Sequence, residues 1–118
     1  MDARWLMMVQ LVKEAGLSNG ELWAWGHNTD SQVGDGTKTA RHSPIRIGSE
    51  FDWEMISAGQ NHSLGIRNGE LWAWGLNSSG RLGDGTTIDR HSPVRIGSES
   101  DWAMISAGVF HSLGITKP

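Results

Sequence analysis

Sliding the sequence along itself by 49 positions lays residues 19–66 over residues 68–115 with 34 identities in 48 pairs. A chain that repeats itself so closely folds as copies of one unit, and each copy offers its neighbour the same surfaces. The blocks ELWAWG, GDGT, RHSP, IGSE and MISAG recur letter for letter, whereas mismatches gather at 29–33, 38–40 and 60–61. Those clusters are expected in loops, where change is tolerated. Identity at this level between neighbours points to recent duplication or to engineering from one template.

Four short segments in each unit carry strand signals. One set runs 55–59, 63–66, 70–75 and 93–97, here called A, B, C and D, with matching segments one repeat away. Asn68-Gly69 between B and C is a strong hairpin signal, because both central residues of a type I′ turn need positive φ. Asn19-Gly20 stands at the equivalent place before the first C strand. In ELWAWG, Leu71 and Ala73 face one way and Trp72 and Trp74 the other, so both faces are apolar and both must be covered. Sheets stacked as blades around a ring meet that demand, which a two-layer sandwich does not. Strand A is small and glycine-containing, which suits the crowded channel side, and D opens on Pro44 or Pro93, which suits an outer edge. The expected order from channel to rim is A, B, C, D.

WAWGLNSSGRLGDGT at 72–86, PVRIG at 93–97 and ISAGVFHSLGI at 105–115 follow one another as in RCC1 (regulator of chromosome condensation) repeats, bacterial-type ones included. The chain resembles that family over residues 19–116, as two tandem repeats at 19–67 and 68–116. In the first copy Ser31 replaces a family glycine, which predicts a strained or shifted loop there. The resemblance implies an all-β fold of RCC1-like β-propeller blades, about two four-stranded blades per chain. Propellers of this family usually have seven blades, and two cannot close a ring. The strand series after residue 18 is C-D, A-B-C-D, A-B, so the ring is expected to be completed by homo-oligomerisation, each copy supplying what its neighbour lacks. Two blades per chain make a trimer six-bladed and a tetramer eight-bladed.

Residues 1–18 break the repeat and are expected to form a divergent N-terminal arm, either a peripheral helix or a disordered segment. Their Leu, Met, Gln, Lys, Glu and Ala favour helix, and Trp5, Met8, Val9 and Val12 fall at helical spacing. The rival reading is a degenerate A-B pair, with Gly16 and Leu17 aligned to Gly65 and Ile66. Such a pair would compete with a neighbour's C-terminal A-B.

Trp23, Trp25, Trp72 and Trp74 are expected to pack between blades. His62 and His111 recur once per blade without a partner at ligand spacing, so a structural role near the channel is expected in place of base or metal chemistry. Gly34, Asp35 and Gly36, with Gly83, Asp84 and Gly85, fit turn stabilisation; they match neither a calcium loop nor a phosphate loop. Trp53 and Trp102, in a D-to-A connection, and Arg41 and Arg90 are the expected partner contacts. By repetition Arg41, His42 and Arg46 with their copies would form a basic ring, but solvated rim charge is the favoured reading, with Glu50, Asp52, Glu99 and Asp101 nearby in sequence to offset it.

A formal charge of −3 with no long Lys/Arg run gives no footprint for nucleic acid, and the apolar run 5–9 is too short for a membrane span or a signal-peptide core. The chain is therefore expected to be soluble, and cytoplasmic if expressed as given. With no cysteine and no Ser/His/Asp order, paired-carboxylate pocket or metal triad, the expectation is a protein without catalysis or cofactor. Self-assembly as a protein-interaction scaffold leads. Family relatives include a nucleotide exchange factor and a β-lactamase inhibitor, so a protein-binding inhibitor and a lectin-like module using Trp53 and Trp102 stand as alternatives.

Overall fold

The computed structural model describes the backbone of residues 8–13 and the whole of residues 20–118. Among the described residues the regular structure is all strand: β1 (Met8–Lys13), β2 (Gly20–Gly26), β3 (Arg41–Arg46), β4 (Trp53–Ala58), β5 (His62–Arg67), β6 (Glu70–Gly75), β7 (Arg90–Ile96), β8 (Trp102–Ala107) and β9 (Ser112–Thr116).

β4 to β7 pair antiparallel in sequence order and make one complete blade, A to D. Its central hairpin is set by Asn68 and Gly69, at φ 50° and 74°. Gly69 also lies under the Ser100 carbonyl, which an added Cβ would approach to 2.0 Å, so no larger residue fits. Among the described residues β1, β2 and β3 supply strands B, C and D of a second blade, and β8–β9 is an A-B hairpin. The blades are stitched at matching places. Gly20 pairs with Trp53, and one repeat later the Trp102 amide donates to the Gly69 carbonyl at 3.0 Å.

β1 corrects the expectation of a helix over the N-terminal arm. The remaining arm residues, 1–7 and 14–18, lie outside the described part. β1 takes the place of strand B: Met8, Val9, Gln10, Leu11 and Val12 pair with Trp25, Ala24, Trp23, Leu22 and Glu21. β5 meets the corresponding residues of β6 in the same register through Ser63, Leu64, Gly65, Ile66 and Arg67. The cause is tertiary. Without β1, the inner edge of β2 would present a row of unpaired backbone donors and acceptors, and satisfying that row outweighs a weak helix propensity. Gln10 and Leu11 occupy the register of Gly65 and Ile66, and the alignment through Gly16 and Leu17 lies outside the described residues. β1 ends opposite the start of β2, where Lys13 pairs with Gly20, and Asn19 of the expected Asn19-Gly20 turn lies outside the described residues.

The D strands also differ from expectation, since β3 and β7 begin before Pro44 and Pro93 and hold each proline in their interior. The ladder is irregular there, between Ala24 and Gly26 and between Ala73 and Gly75, and each D strand pairs on one side only. A bulged edge strand is where a missing N–H costs least.

The core lies between blades. One cluster joins Leu22, Ala24, Val33 and Ile47 of the first blade to Trp53 and Trp74 of the second. The other joins Leu64, Ala73, Leu82 and Ile96 of the second blade to Ile105 and Ala107 of β8.

Candidate functional site at the blade boundaries

At the first boundary, between β2–β3 and β4–β7, the C strand of the later blade pushes an indole into the loop of the earlier one. Trp74 is fully buried, and its Nε1 donates to the Gln32 carbonyl at 2.9 Å. The same carbonyl accepts the Ser63 hydroxyl at 2.8 Å. The ring lies so close to Gly34 that a Cβ there would come within 2.6 Å of Nε1. Trp53 completes the stack, edge-on to Trp74 and Trp72 at centroid distances of 5.9 and 6.2 Å. Outside it, Arg67 grips Asp52 through two bonds of 2.6 and 3.1 Å while its guanidinium lies over both Trp53 and Trp72.

The receiving loop is held rigid by one amide. Asn28 is fully buried; its Nδ2 donates to the carbonyls of Thr37 (3.0 Å) and Thr39 (2.8 Å), and its Oδ1 accepts the Val33 amide at 3.0 Å. Asp35 accepts the Thr37 amide and hydroxyl and is paired with Arg41 at 2.7 Å. Asn77, Asp84, Thr86 and Arg90 repeat the arrangement. Burial works to raise the carboxyl pKa of Asp84, yet bonds from Thr86, Arg90 and Asn77 outweigh it and hold the group at about 2.

The second boundary, between β4–β7 and β8–β9, reproduces half of the first. Ser112 donates to the Arg81 carbonyl at 2.7 Å, as Ser63 does to that of Gln32. His62, fully buried, reaches across with Nε2 2.9 Å from the Ser112 oxygen. With the hydroxyl proton committed to the Arg81 carbonyl, Nε2–H is the donor to Ser112. Burial, with the positive charge of Arg81 and His111 nearby, lowers the His62 pKa to about 4, so the ring is neutral. Among the described residues no indole fills the remaining half. Gly83, the counterpart of Gly34, meets only the Ile96 side chain at 3.6 Å, and the space opens into a cleft of about 450 Å³ lined among others by Leu71, Leu82, Gly83, Ile96 and Trp102.

The profile of the "Regulator of chromosome condensation (RCC1) repeat" matches residues 19–66 and 68–115. The chain belongs to the RCC1 repeat family. Among solved structures it is similar to human WBSCR16, with a TM-score of 0.71 and 26% identity over 83% of this chain and 27% of that one. It is likewise similar to Prp20p from Saccharomyces cerevisiae, with a TM-score of 0.76 and 20% identity over 97% of this chain and 30% of that one. At that identity the second likeness speaks for the propeller fold alone, and the chain spans less than a third of either relative's length. No curated protein matches it.

These RCC1 repeats scatter the residues expected from sequence. Trp74 sits inside the first boundary, Trp72 packs half-buried against it, and Trp23 and Trp25 remain half-buried on the outer side of the first blade. Trp53, expected at a partner surface, is 1% exposed and belongs to the core; Trp102 is half-buried beside the open cleft. Arg41 and Arg90 are each tied to the aspartate of their own loop and brace it, their side chains still 34% and 32% exposed. Arg46 and Arg95 pair with Glu21 and Glu70 at 3.4 Å. Gly34, Gly36, Gly83 and Gly85 all take φ near +80° to +90°. Ser31 adopts φ 65° where Gly80 has 70°, so the loop keeps its path and the serine accepts the left-handed conformation. His111 is exposed, unlike His62.

Sequence reasoning missed Asn28, Asn77 and Arg67. The asparagines carried a signal, since each stays identical inside the most divergent stretch of its repeat. Arg67 carried none, its counterpart being Thr116. Among the described residues no group of three His, Asp or Glu is placed to hold a metal ion, and no helix is long and apolar enough to cross a membrane.

Proposed function

We propose that the chain is a non-catalytic protein-interaction module whose open β8–β9 end docks onto another copy of the chain, head to tail, so that repetition builds a closed propeller. One comparison carries this reading. Leu64 and Ile66 of β5 are each 2% exposed, while their repeats in β9, Leu113 and Ile115, are 66% and 61% exposed. The same two side chains are core in one copy and open to water in the next, and the cover that buries the first pair is a stretch of this same sequence. An uncovered apolar sheet face next to an unpaired strand edge marks an association surface. The interface is heterologous, so closure takes whole copies: three give six blades and four give eight. Multi-angle light scattering over a range of concentrations tests it. Masses of three or four chains are expected, and a monomer at every concentration overturns self-association.

A protein partner other than a second copy is the other reading. Prp20p binds Gsp1p and histones, and the open end of this chain offers the kind of apolar, tryptophan-lined surface that protein partners use.

A further inference from the structure

The second boundary is a mould whose casting is present elsewhere in the chain. At the first boundary the loop that presents Gly34 and the Gln32 carbonyl holds Trp74. At the second, the loop that presents Gly83 and the Arg81 carbonyl has the serine bond but, among the described residues, no indole beside Gly83. Leu71 and Trp102, whose repeats Leu22 and Trp53 are fully or almost fully buried, are left half-buried at the cleft. At the other end of the described residues Trp25, the repeat of Trp74, is only half-buried.

We propose that the cleft beside Gly83 is an indole pocket that takes Trp25 from a second copy of the chain, and that it fills by strand exchange, with β9 of one copy replacing β1 on β2 of the next. The proposal rests on self-association as read above and specifies its chemistry. Trp25 stands to Gly83 and the Arg81 carbonyl of the neighbour as Trp74 stands to Gly34 and the Gln32 carbonyl, and its Nε1–H becomes the second donor to that carbonyl. Trp23 and Trp25 supply Trp102 with the edge-on neighbours that Trp72 and Trp74 supply to Trp53.

Exchange follows from register. By the repeat, Ser112, Leu113, Gly114, Ile115 and Thr116 would lie opposite Trp25, Ala24, Trp23, Leu22 and Glu21, the five residues that β1 now occupies. β1 and a neighbour's β9 therefore compete for one edge. β1 is the guard strand of the lone chain: it satisfies the β2 edge until a copy arrives whose β9 brings an A strand with it. β4 of the second copy, which carries Ile56 and Ala58 as β8 carries Ile105 and Ala107, then covers Leu113 and Ile115 as β8 covers Leu64.

Sedimentation of the full-length chain and three variants tests this. Trp25→Ala is expected to weaken association at least about a hundredfold, since an indole in a desolvated pocket is the kind of anchor that dominates an interface. Trp25→Phe, which keeps the ring but loses the bond to the Arg81 carbonyl, should weaken it by about tenfold. Leu11→Pro removes a backbone donor from β1, loosens the guard and should strengthen association. As the chain has no cysteine, Leu113→Cys mixed with Ala24→Cys should form a disulfide between copies, because those positions face each other only after exchange. If the parent chain associates but Trp25→Ala associates equally well, or Leu11→Pro weakens association, the pocket and the exchange are overturned while self-association stands. If neither the parent nor Leu11→Pro associates, and the mixed cysteine variants do not cross-link, self-association falls too.

Discussion

One buried amide does for each C-to-D loop what a strand ladder does for a sheet. Asn77 ties the Thr86 and Ile88 carbonyls and the Leu82 amide to the end of β6. Replacing it with alanine leaves those backbone groups without partners, at about 1 to 3 kcal/mol for each buried one. Asn77→Ala is therefore expected to destabilise the chain by about 3 kcal/mol, read as a lower urea midpoint, and Asn28→Ala by a similar amount. His62 adds a pH dependence whose sign is fixed by burial. Its folded pKa, about 4, lies below the ordinary 6.5, so between those values the unfolded chain takes up a proton that the folded chain refuses. Its contribution is full above about pH 6.5 and is lost toward pH 4, at up to about 1.4 kcal/mol per pH unit. Asp84 titrates lower, its contribution being lost as pH falls from 3.8 toward 2. Urea melts at pH 7.5, 5.5 and 4.5 should show the loss, and His62→Gln should flatten it over the upper part of that range.

Strands were legible in the sequence where alternation, turn chemistry and repetition agreed, as in β5–β6, where Asn68-Gly69 fixes the hairpin. They were legible only as the rival reading where the cause was a distant edge: residues 8–13 pair along the otherwise open side of β2, a cause that helix propensity in a local window does not contain. Loops were misread in a more instructive way. The divergent clusters at 29–33 and 60–61 looked like tolerated change, yet they face each other across the boundary. Asn61 donates to Asp30 at 2.7 Å in one copy, while in the other Arg81 lies over Phe110 at 5.3 Å and donates to the Val109 carbonyl at 2.7 Å. They differ between repeats as matched sets. Glycine has a similar positional meaning in strand B. A Cβ on Gly65 would sit 2.5 Å from the Trp53 ring, and one on Gly114 2.6 Å from Trp102. Trp53 is locked in the core and Trp102 is not, so Gly65→Ala is expected to cost about 2 to 3 kcal/mol and Gly114→Ala under about 1. Equal thermal shifts for the two variants would contradict this.

For the molecule as a whole, stability in such an array is a sum of blade terms and boundary terms, so an element bounded on one side only is the first to open. β8–β9 has the same pairing as β4–β5, with Ile105 opposite Gly114 as Ile56 is opposite Gly65, but its Leu113 and Ile115 are open to water among the described residues. Burying a leucine and an isoleucine on that face contributes on the order of 3 kcal/mol or more, which sets the gap between the two hairpins. Amides of β8–β9 are thus expected to exchange with solvent about a hundredfold faster than their counterparts in β4–β5 at concentrations where the chain is monomeric. The comparison is internally controlled, because the paired segments are almost identical in sequence and differ mainly in what covers them. If a second copy is the missing cover, the two exchange rates should converge as concentration rises, and the β1 amides should lose protection over the same range as β9 takes their place. Convergence without loss at β1 would mean that the outer face is covered by a partner that leaves the β2 edge alone.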